Sequence, residues 1–268
     1  MMRKSIIIAA IAVVLVAIAA CVGFTSEQPH GDLKQDIAIE EIRIEFANSY
    51  LVYNRANPRE ALLIDTGIPE NAEKLAARIL DAGVDPRDLD AVILTHGHYD
   101  HAGGARFFQE SFDTMLIAGR GDQVPLETGE ELGVCPTSWL ARRIASQSAE
   151  PGTWTSSPTV YVDDRLDLST ISNIGGEIIV LPGHTPGSLI VNVGDATFVG
   201  DQIRGKIFGS GPALHFFMCD LADNARDLDE ILSTLSPNAE RFFPGHMSVF
   251  SREALRRYVD HRLEEIRE

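Results

Sequence analysis

A string of histidines and one aspartate follows an apolar run in the first half of the chain. Residues 96–101 read HGHYDH and come directly after AVILT. Neutral imidazole and carboxylate suit a borderline divalent cation such as Zn²⁺. Side chains two residues apart at a strand end face one point, so His96 and His98 can share an ion. Asp100 and His101 lie beyond the same turn and are better placed to bind a second ion beside the first.

Three further candidate ligands stand at the ends of later strand-like runs. His184 follows EIIVLPG, Asp201 follows ATFVG and His246 follows RFFPG. The seven candidates can serve two ions if one of them, most simply a carboxylate, bridges. Taken singly, each Pro-Gly-His is equally compatible with a turn whose histidine caps a neighbouring element. Their joint occurrence at strand ends, together with the first string, favours a dinuclear metal site.

Cysteine and serine offer no competing chemistry. The three cysteines, Cys21, Cys135 and Cys219, lack C-x-x-C spacing, and the chain contains no G-x-S-x-G nucleophile motif. Cys135 and Cys219 can pair in an oxidising compartment, a point that the sequence leaves open. We therefore expect neither a cysteine-bound metal nor a serine nucleophile.

The composition fits one enzyme-sized domain that binds a small molecule. The chain has 268 residues, of which 44% are hydrophobic and 23% are charged, enough apolar material for one sizeable core. Lys and Arg number 23 against 39 Asp and Glu, a formal net charge of −16. This balance leaves no basic surface for phosphate backbones, so we expect a small-molecule substrate and no nucleic-acid partner. It does not indicate the oligomeric state.

The first residues have the pattern of an export signal. Arg3 and Lys4 precede an uncharged, largely apolar run at 6–24, which predicts a secretory signal peptide or a membrane anchor over residues 1–20. The residues ending at Cys21 read IAAC and resemble the lipobox of prokaryotic lipoproteins, in which the cysteine receives lipid. Both alternatives predict an extracytoplasmic protein attached to the membrane through its N-terminal segment or through lipidated Cys21.

Strand-like and helix-like runs alternate along the rest of the chain. Residues 21–35 are predicted to form a polar tether and residues 36–268 one folded α/β domain. Strand-like runs lie at 37–46, 49–53, 61–64, 91–95, 177–181, 189–193, 196–199 and 241–243. Helical patterns lie at 69–80, 228–235 and 255–266, the last behind a Ser251 cap. The segment 119–158 is less strand-like and is predicted to be an inserted helical or loop segment.

These motifs resemble those of the metallo-β-lactamase-fold hydrolase superfamily, with its glyoxalase-II-like and lactonase-like members. The matching pieces are DTG at 65–67, THGHYDHAGG at 95–104, PGHTPGS at 182–188, GD at 200–201 and PGH at 244–246. They occur in the family's order over about residues 40–260. The resemblance therefore covers the whole domain and implies an α/β (α+β) fold, a four-layer αβ/βα sandwich with the metals at the edge between two sheets.

The resemblance also implies a role for each candidate ligand. The first metal would be held by His96, His98 and His184, the second by Asp100, His101 and His246, and Asp201 would bridge the two. Asp65 would be a carboxylate that orients a ligand. The expected cofactor is two Zn²⁺ per chain, with Fe or Mn as alternatives.

Departures from the subfamily patterns reduce the number of activities to be expected. β-Lactamases of this fold generally lack the bridging aspartate, so Asp201 argues against antibiotic hydrolysis. Arg204 stands where acyl-homoserine lactonases usually have a tyrosine. We expect a hydrolase in which a metal-bridging hydroxide cleaves an ester, thioester or lactone-type bond. Asp100 is the expected catalytic residue, which would orient the water or relay its proton to the leaving group.

Other interpretations remain open. A persulfide dioxygenase of the same fold would bind one iron through two histidines and an aspartate, and a non-catalytic surface lipoprotein would bind a metal or a solute. Trp139 and Trp154, in the inserted segment, either form a lid or simply pack. The His-Phe-Phe sequence at 215–217 either lines the substrate pocket or anchors a loop to the core.

Overall fold

The computed structural model describes residues 36–130, 132–146 and 154–267. The predicted signal peptide or anchor at 1–20 and the predicted tether at 21–35 lie outside the described residues. Across the three described ranges, no helix is long and apolar enough to cross a membrane.

Two six-stranded sheets form the centre of the fold. The first contains, in spatial order, β1 (Ile37–Ile44), β2 (Ala47–Asn54), β3 (Asn57–Ile64), β4 (Leu89–Ile93), β5 (Leu116–Gly119) and β6 (Val160–Val162). β1, β2 and β3 are antiparallel neighbours, whereas β3 to β6 pair in parallel. Aliphatic residues fill the ends of β3 and β4 because both faces of the sheet are covered there.

The second sheet mixes antiparallel pairs with one parallel pair. Its strands, in spatial order, are β14 (Phe250–Ser251), β13 (Arg241–Pro244), β10 (Ala196–Gly200), β9 (Leu189–Val193), β8 (Glu177–Val180) and β7 (Arg165–Asp167). β10 and β13 run parallel, so their carboxyl ends meet at one edge. A separate two-stranded ribbon joins β11 (Arg204–Gly205) to β12 (Pro212–Ala213).

Helices flank both sheets. They are α1 (Ala72–Asp81), α2 (Tyr99–Ala102), α3 (Ala105–Phe112), α4 (Gln123–Thr128), α5 (Trp139–Ala145), α6 (Leu221–Glu230) and α7 (Arg252–Arg267). The predicted helix at 69–80 begins as a separate 3₁₀ turn at Pro69–Asn71, where proline is tolerated because first-turn N–H groups have no intrahelical partner. A π-helical turn at Ile231–Leu235 continues α6, so the predicted apolar stripe at 228–235 spans both. The predicted cap of α7 is present, since Ser251 Oγ accepts the N–H of Ala254 at 3.2 Å.

Three apolar clusters separate four layers. One cluster lies between the sheets and includes Val52, Ile64 and Phe198. A second packs α1 and α3 on the first sheet and includes Leu63, Leu75, Ile79, Val92 and Phe108. A third packs α6 and α7 on the second sheet and includes Ile190, Leu228, Phe242, Leu255 and Val259. Because side chains alternate along a strand, neighbours such as Leu63 and Ile64 serve opposite layers. The predicted four-layer αβ/βα sandwich is confirmed.

The topology brings several strand ends to one edge. β3 and β4 are parallel, so Asp65 after β3 lies beside the segment after β4. In the second sheet, Asp201 follows β10, and Gly245 and His246 follow β13. β10 and β13 are parallel neighbours. The approach is close: a Cβ added at Gly245 would lie 2.3 Å from Oδ1 of Asp201. Glycine is therefore required at this position for the two strand ends to meet.

Candidate metal centre

Three histidines from two loops form the first ligand group. His96, His98 and His184 present ligand atoms that all lie within 4.8 Å of one another. Nε2 of His184 lies 2.9 Å from Nδ1 of His98. The side chains of His96 and His184 are almost fully buried, so this group faces inward from the loops after β4 and β8.

Asp100, His101 and His246 form a second group next to the first, again with ligand atoms within 4.8 Å of one another. The Nε2 atoms of His101 and His246 are 3.2 Å apart. Oδ2 of Asp100 lies 3.4 Å from Nε2 of His246 and 3.7 Å from Nε2 of His101. α2 positions both Asp100 and His101, and the end of β13 supplies the third member.

Asp201 lies between the two groups. Its Oδ2 atom is 3.7 Å from Nε2 of His96 and 3.5 Å from Nε2 of His184. The same atom is 3.6 Å from Nε2 of His101 and 3.3 Å from Nε2 of His246. One carboxylate oxygen thus faces both groups, which is the placement that a bridging ligand needs. The structure therefore brings together all seven residues predicted as ligands; their ligand roles stay a prediction.

Asp65 orients two of the histidine rings. Its Oδ2 atom accepts from Nδ1 of His101 at 2.9 Å and from Oγ1 of Thr95 at 2.8 Å. Thr95 Oγ1 in turn lies 3.1 Å from Nδ1 of His96. Asp65 has a φ of 59°, a left-handed conformation that is unfavourable for a residue with a Cβ. These hydrogen bonds stabilise it, and they place Asp65 where the resemblance expects an orienting carboxylate.

Backbone carbonyls orient two more rings. Nδ1 of His184 donates to the carbonyl of Phe217 at 3.0 Å, and Nδ1 of His246 donates to the carbonyl of Phe46 at 2.8 Å. An Nδ1–H bound to an acceptor leaves Nε2 without a proton in the neutral ring. The Nε2 lone pairs therefore point toward Asp201, as metal ligands require.

Asp122 joins the two loops that carry the first group. Its carboxylate accepts the N–H of Gly97 and the N–H of Gly187, each at 2.8 Å, and the hydroxyl of Thr185 at 2.7 Å. Burial raises the pKa of Asp122, and these hydrogen bonds oppose that rise. Asp122 was not among the predicted site residues, because the strand that precedes it, β5, was not recognised in the sequence and the position fell in the predicted inserted segment.

The electrostatics differ between the groups. Burial lowers the pKa of His96 and His184 well below the ordinary value and that of His98 to about 4, so these rings are neutral. Burial also acts against a charge on His101, but the carboxylates of Asp201, Asp100 and Asp65 outweigh it and raise its pKa to about 10. Burial acts to raise the pKa of Asp201, yet the surrounding histidines hold it well below its usual range. The second group is therefore a place where the protein stabilises positive charge.

The donor set fits a divalent cation. Nδ1 of both His101 and His246 is bound to an acceptor, so their Nε2 lone pairs face each other at 3.2 Å. Two such lone pairs repel unless a proton or a cation lies between them. In the described part of the chain, Nε2 of His96 and Oδ1 of Asp201 are buried without a hydrogen-bond partner. Buried polar atoms in native proteins nearly always have partners, so these atoms point to an additional group.

His215 belongs to the segment 215–217, for which the sequence left two interpretations open, and it was not among the predicted ligands. Its Nε2 atom lies 3.0 Å from Oδ2 of Asp201, and its ring is 4.8 Å from that of His184, centroid to centroid. Its ring also stacks on His246 at 5.4 Å. The signal was weak because β12, which precedes it, has two residues and no recognisable strand pattern. Of the two interpretations of 215–217, the structure favours a position in the site.

A disulfide joins the inserted segment to the His215 loop. Cys135 and Cys219 are bonded, which resolves the pairing that the sequence left open. Between them, the N–H of Thr137 donates to the carbonyl of Phe216 at 2.8 Å, and the N–H of Met218 donates to the carbonyl of Cys135 at 2.9 Å. This wall borders a cleft that His98, Cys135, His184, Phe217 and Cys219 help to line.

The two tryptophans of the inserted segment have different surroundings. Trp154 is buried in the cluster beneath α3 and lies 6.2 Å from the ring of Tyr99. Trp154 therefore packs rather than forming a lid. Trp139 begins α5 and is 77% exposed.

Comparison with known proteins places the chain in a family. Residues 42–246 match the family model described as the metallo-beta-lactamase superfamily. The chain belongs to the metallo-β-lactamase superfamily. The predicted resemblance is thereby confirmed. The match covers every residue of the two ligand groups and ends at His246.

Relatives of this superfamily member span most of its length. A "Probable metallo-hydrolase" of Methanocaldococcus jannaschii is 25% identical over 208 residues, covering 78% of this chain and 91% of the relative. An acyl-coenzyme A thioesterase of Gallus gallus is 26% identical over 231 residues, covering 79% of this chain and 76% of the thioesterase. Among solved structures, the Rm3 metallo-beta-lactamase has a TM-score of 0.62 at 20% identity and covers 93% of this chain and 98% of its own. At that identity the likeness shows the superfamily fold and nothing more.

Proposed function

We propose that this metallo-hydrolase holds two divalent ions, most simply Zn²⁺, and cleaves an ester, thioester or lactone-type bond. The first ion is assigned to His96, His98 and His184, the second to Asp100, His101 and His246, and Asp201 bridges. The observation that carries the proposal is the single Oδ2 atom of Asp201 within 3.7 Å of Nε2 in both groups. A mononuclear site has no need of a carboxylate oxygen between two complete three-ligand groups.

Two bound ions would lower the pKa of a shared water toward 7 and polarise the substrate carbonyl. The protein's own contribution is to hold the ligand rings in fixed orientations through Asp65, Thr95 and backbone carbonyls. Asp100 is the most accessible carboxylate of the centre, with a side chain 38% exposed against 3% for Asp201. We assign Asp100 to accept the proton of the attacking water at its carboxylate and to pass it to the leaving group.

Three exposed aromatic side chains lie on segments whose backbones are bonded to loops of the centre, and they support a substrate class. Phe46 is 67%, Trp139 is 77% and Phe208 is 83% exposed. Phe46 binds His246 through its carbonyl, and Trp139 follows the segment 135–137 that is bonded to the His215 loop. The ribbon that carries Phe208 also binds His246 through the first of its two strands. We infer an apolar acyl group beside the scissile carbonyl, which agrees in class with the thioesterase relative.

An acyl-chain series tests this substrate class. The purified protein is assayed on coenzyme A thioesters and p-nitrophenyl esters of increasing chain length. Phe208→Ala and Trp139→Ala are expected to lower kcat/KM for long chains about fivefold, equivalent to roughly 1 kcal/mol of lost apolar contact, and to leave acetyl substrates unchanged. Leu80→Ala is the matched control, because Leu80 is also exposed but lies at the end of α1. Equal effects on short and long chains would argue against the acyl site.

Metal analysis tests the dinuclear centre. We expect about two zinc per chain by plasma mass spectrometry, and less metal with parallel loss of activity in Asp201→Ala and His98→Ala. Full metal content and activity in either variant would refute the ligand assignment. One iron per chain with oxygen uptake on persulfide would instead support the dioxygenase. Full metal content without hydrolysis of any ester, thioester or lactone would support a non-catalytic lipoprotein that binds a metal or a solute.

We also propose an extracytoplasmic location at the membrane. The apolar run after Arg3 and Lys4 and the IAAC sequence at Cys21 support it. The bond between Cys135 and Cys219 adds support, since structural disulfides persist mainly in oxidising compartments. Fractionation of cells expressing the full chain, with Cys21→Ala as the comparison, tests both attachment and lipidation.

A further inference from the structure

His215 differs from the other histidines of the centre in how its Nδ1 atom is bound. The backbone N–H of Phe217 donates to Nδ1 of His215 at 3.2 Å. In His101, His184 and His246, Nδ1 donates to a carboxylate or a carbonyl oxygen, whereas Nδ1 of His215 lies beside both this N–H and the carbonyl oxygen of Phe217. When Nδ1 accepts from the N–H, the proton of the neutral ring is on Nε2. His215 can then offer a donor to the centre where those three rings offer lone pairs.

The Nε2 atom of His215 is directed at the bridging carboxylate. It is buried, and no described residue is a fully aligned hydrogen-bond partner. The acceptor it faces is Oδ2 of Asp201 at 3.0 Å, a distance within which a small rotation of the ring aligns the N–H. The carbonyl of Phe217 lies 3.1 Å from Nδ1 of His215 and accepts from Nδ1 of His184 at 3.0 Å. The backbone of Phe217 therefore contacts both rings, through its N–H and through its carbonyl.

We propose that His215 is a positioning residue whose Nε2–H donates a hydrogen bond to Oδ2 of Asp201 and holds that carboxylate between the two ligand groups. The proposal rests on the proposed function, because it assigns the bridging role to Asp201. A carboxylate oxygen that must face two ions has one useful orientation, and a buried donor restricts it to that orientation. The hydrogen bond also stabilises the negative charge of Asp201 in its buried surroundings.

The competing assignment is an eighth ligand. His184, Asp201 and His215 have ligand atoms within 4.8 Å of one another, as the other groups do. A metal on Nε2 of His215 would require the proton to leave that atom. In that tautomer the proton on Nδ1 would be donated to the carbonyl of Phe217 at 3.1 Å, and the N–H of Phe217 would lose Nδ1 as its acceptor. The two assignments therefore differ in the protonation of one nitrogen atom, which can be measured.

Two measurements on the zinc-loaded protein test the proposal. Long-range ¹H–¹⁵N spectra, assigned with His215→Gln, are expected to show His215 protonated at Nε2 and unprotonated at Nδ1. Chelator competition is expected to show zinc affinity lowered about 10–100-fold in His215→Asn and His215→Ala. In His215→Gln most of the affinity is expected to remain, because the glutamine amide reaches the position of Nε2 and can donate. His261→Gln is the control, since His261 is exposed on α7.

Each alternative outcome overturns the proposal. An Nε2 atom without a proton, with ¹¹³Cd coupling to His215 after cadmium exchange, identifies a ligand. Equal losses in the Gln, Asn and Ala variants indicate that donation is not the property that matters, and no loss in any of them removes the role. If wild-type protein binds no zinc, the proposed function fails, whereas the tautomer of His215 is still read from the spectra of the same sample.

Discussion

Asp65→Asn replaces one oxygen of a buried carboxylate whose two oxygens both accept hydrogen bonds. Oδ1 accepts the N–H of Thr95 at 2.7 Å, and Oδ2 accepts the Thr95 hydroxyl at 2.8 Å and Nδ1 of His101 at 2.9 Å. All three of these groups are donors, whereas the asparagine side chain has one acceptor oxygen and one NH₂ group, which is a donor. In one orientation its NH₂ faces the N–H of Thr95; in the other it faces the hydroxyl and His101.

The structure sets the size of the effect. A buried donor without a partner costs about 1–3 kcal/mol, and the lost hydrogen bond to the ionised carboxylate contributes roughly 1.5–3 kcal/mol, partly overlapping. We expect the free energy of unfolding to fall by about 2–4 kcal/mol. At roughly 2–4 °C per kcal/mol for a chain of this size, Tm falls by about 5–15 °C. His101 also loses the acceptor that keeps its proton on Nδ1, so the affinity for the second ion is expected to fall about 10–100-fold.

Denaturant unfolding and zinc competition are measured on Asp65→Asn and on wild type. Asp163→Asn serves as the control, because the Asp163 side chain is 72% exposed and such changes stay within about 0.5 kcal/mol. The reasoning is refuted if Asp65→Asn unfolds like wild type or binds the second ion equally well. Loss of affinity for the first ion with retention of the second would also refute it, since His101 belongs to the second group.

Three further changes follow from the fold. Replacing Cys135 and Cys219 by serine opens a loop of 84 residues and is expected to lower unfolding free energy by about 4 kcal/mol in denaturant titrations. Burial and neighbouring carboxylates raise the pKa of Asp227 to about 6, so the unfolding free energy of wild type falls as pH rises from about 4 through 6. In denaturant titrations, Asp227→Asn is expected to be more stable than wild type by about 1 kcal/mol at pH 7, after allowance for solvent screening, and equally stable at pH 4. Gly245→Ala places a methyl group 2.3 Å from Oδ1 of Asp201 and should lower zinc content by plasma mass spectrometry while the fold, followed by circular dichroism, persists.

Local patterns were sufficient to predict eight of the strands and to place the candidate ligands at strand ends, whereas the four-layer arrangement came from the family resemblance. Apolar runs that end in His or Asp carry both kinds of information, because each strand end is local in sequence while the sheet brings the ends together. The likeness to a known family then paired His184 with the first group and His246 with the second. Neither assignment follows from composition or spacing, since the loops between them vary freely in length.

The orientation of the rings could not be predicted in this way. Backbone carbonyls of Phe46 and Phe217 set the tautomers of His246 and His184, and any residue type supplies a carbonyl, so no side-chain pattern marks these positions. The position of His215 was left open for a related reason, since it depends on the ribbon and on the segment held by the disulfide. Such contacts are fixed by tertiary packing between segments far apart in sequence.

The candidate metal centre joins the two halves of the sandwich. The first sheet is followed by the loop that carries His96 and His98 and by α2, which carries His101. The second sheet supplies His184, Asp201 and His246. Any ion that binds both sets is therefore bound by the folded state alone and stabilises it, by about 2.7 kcal/mol when its concentration is a hundred times Kd. Because Asp201 faces both ligand groups, the two proposed ions are expected to bind interdependently. In the proposed arrangement, His215 faces that carboxylate from a third segment and influences both ions without contacting either.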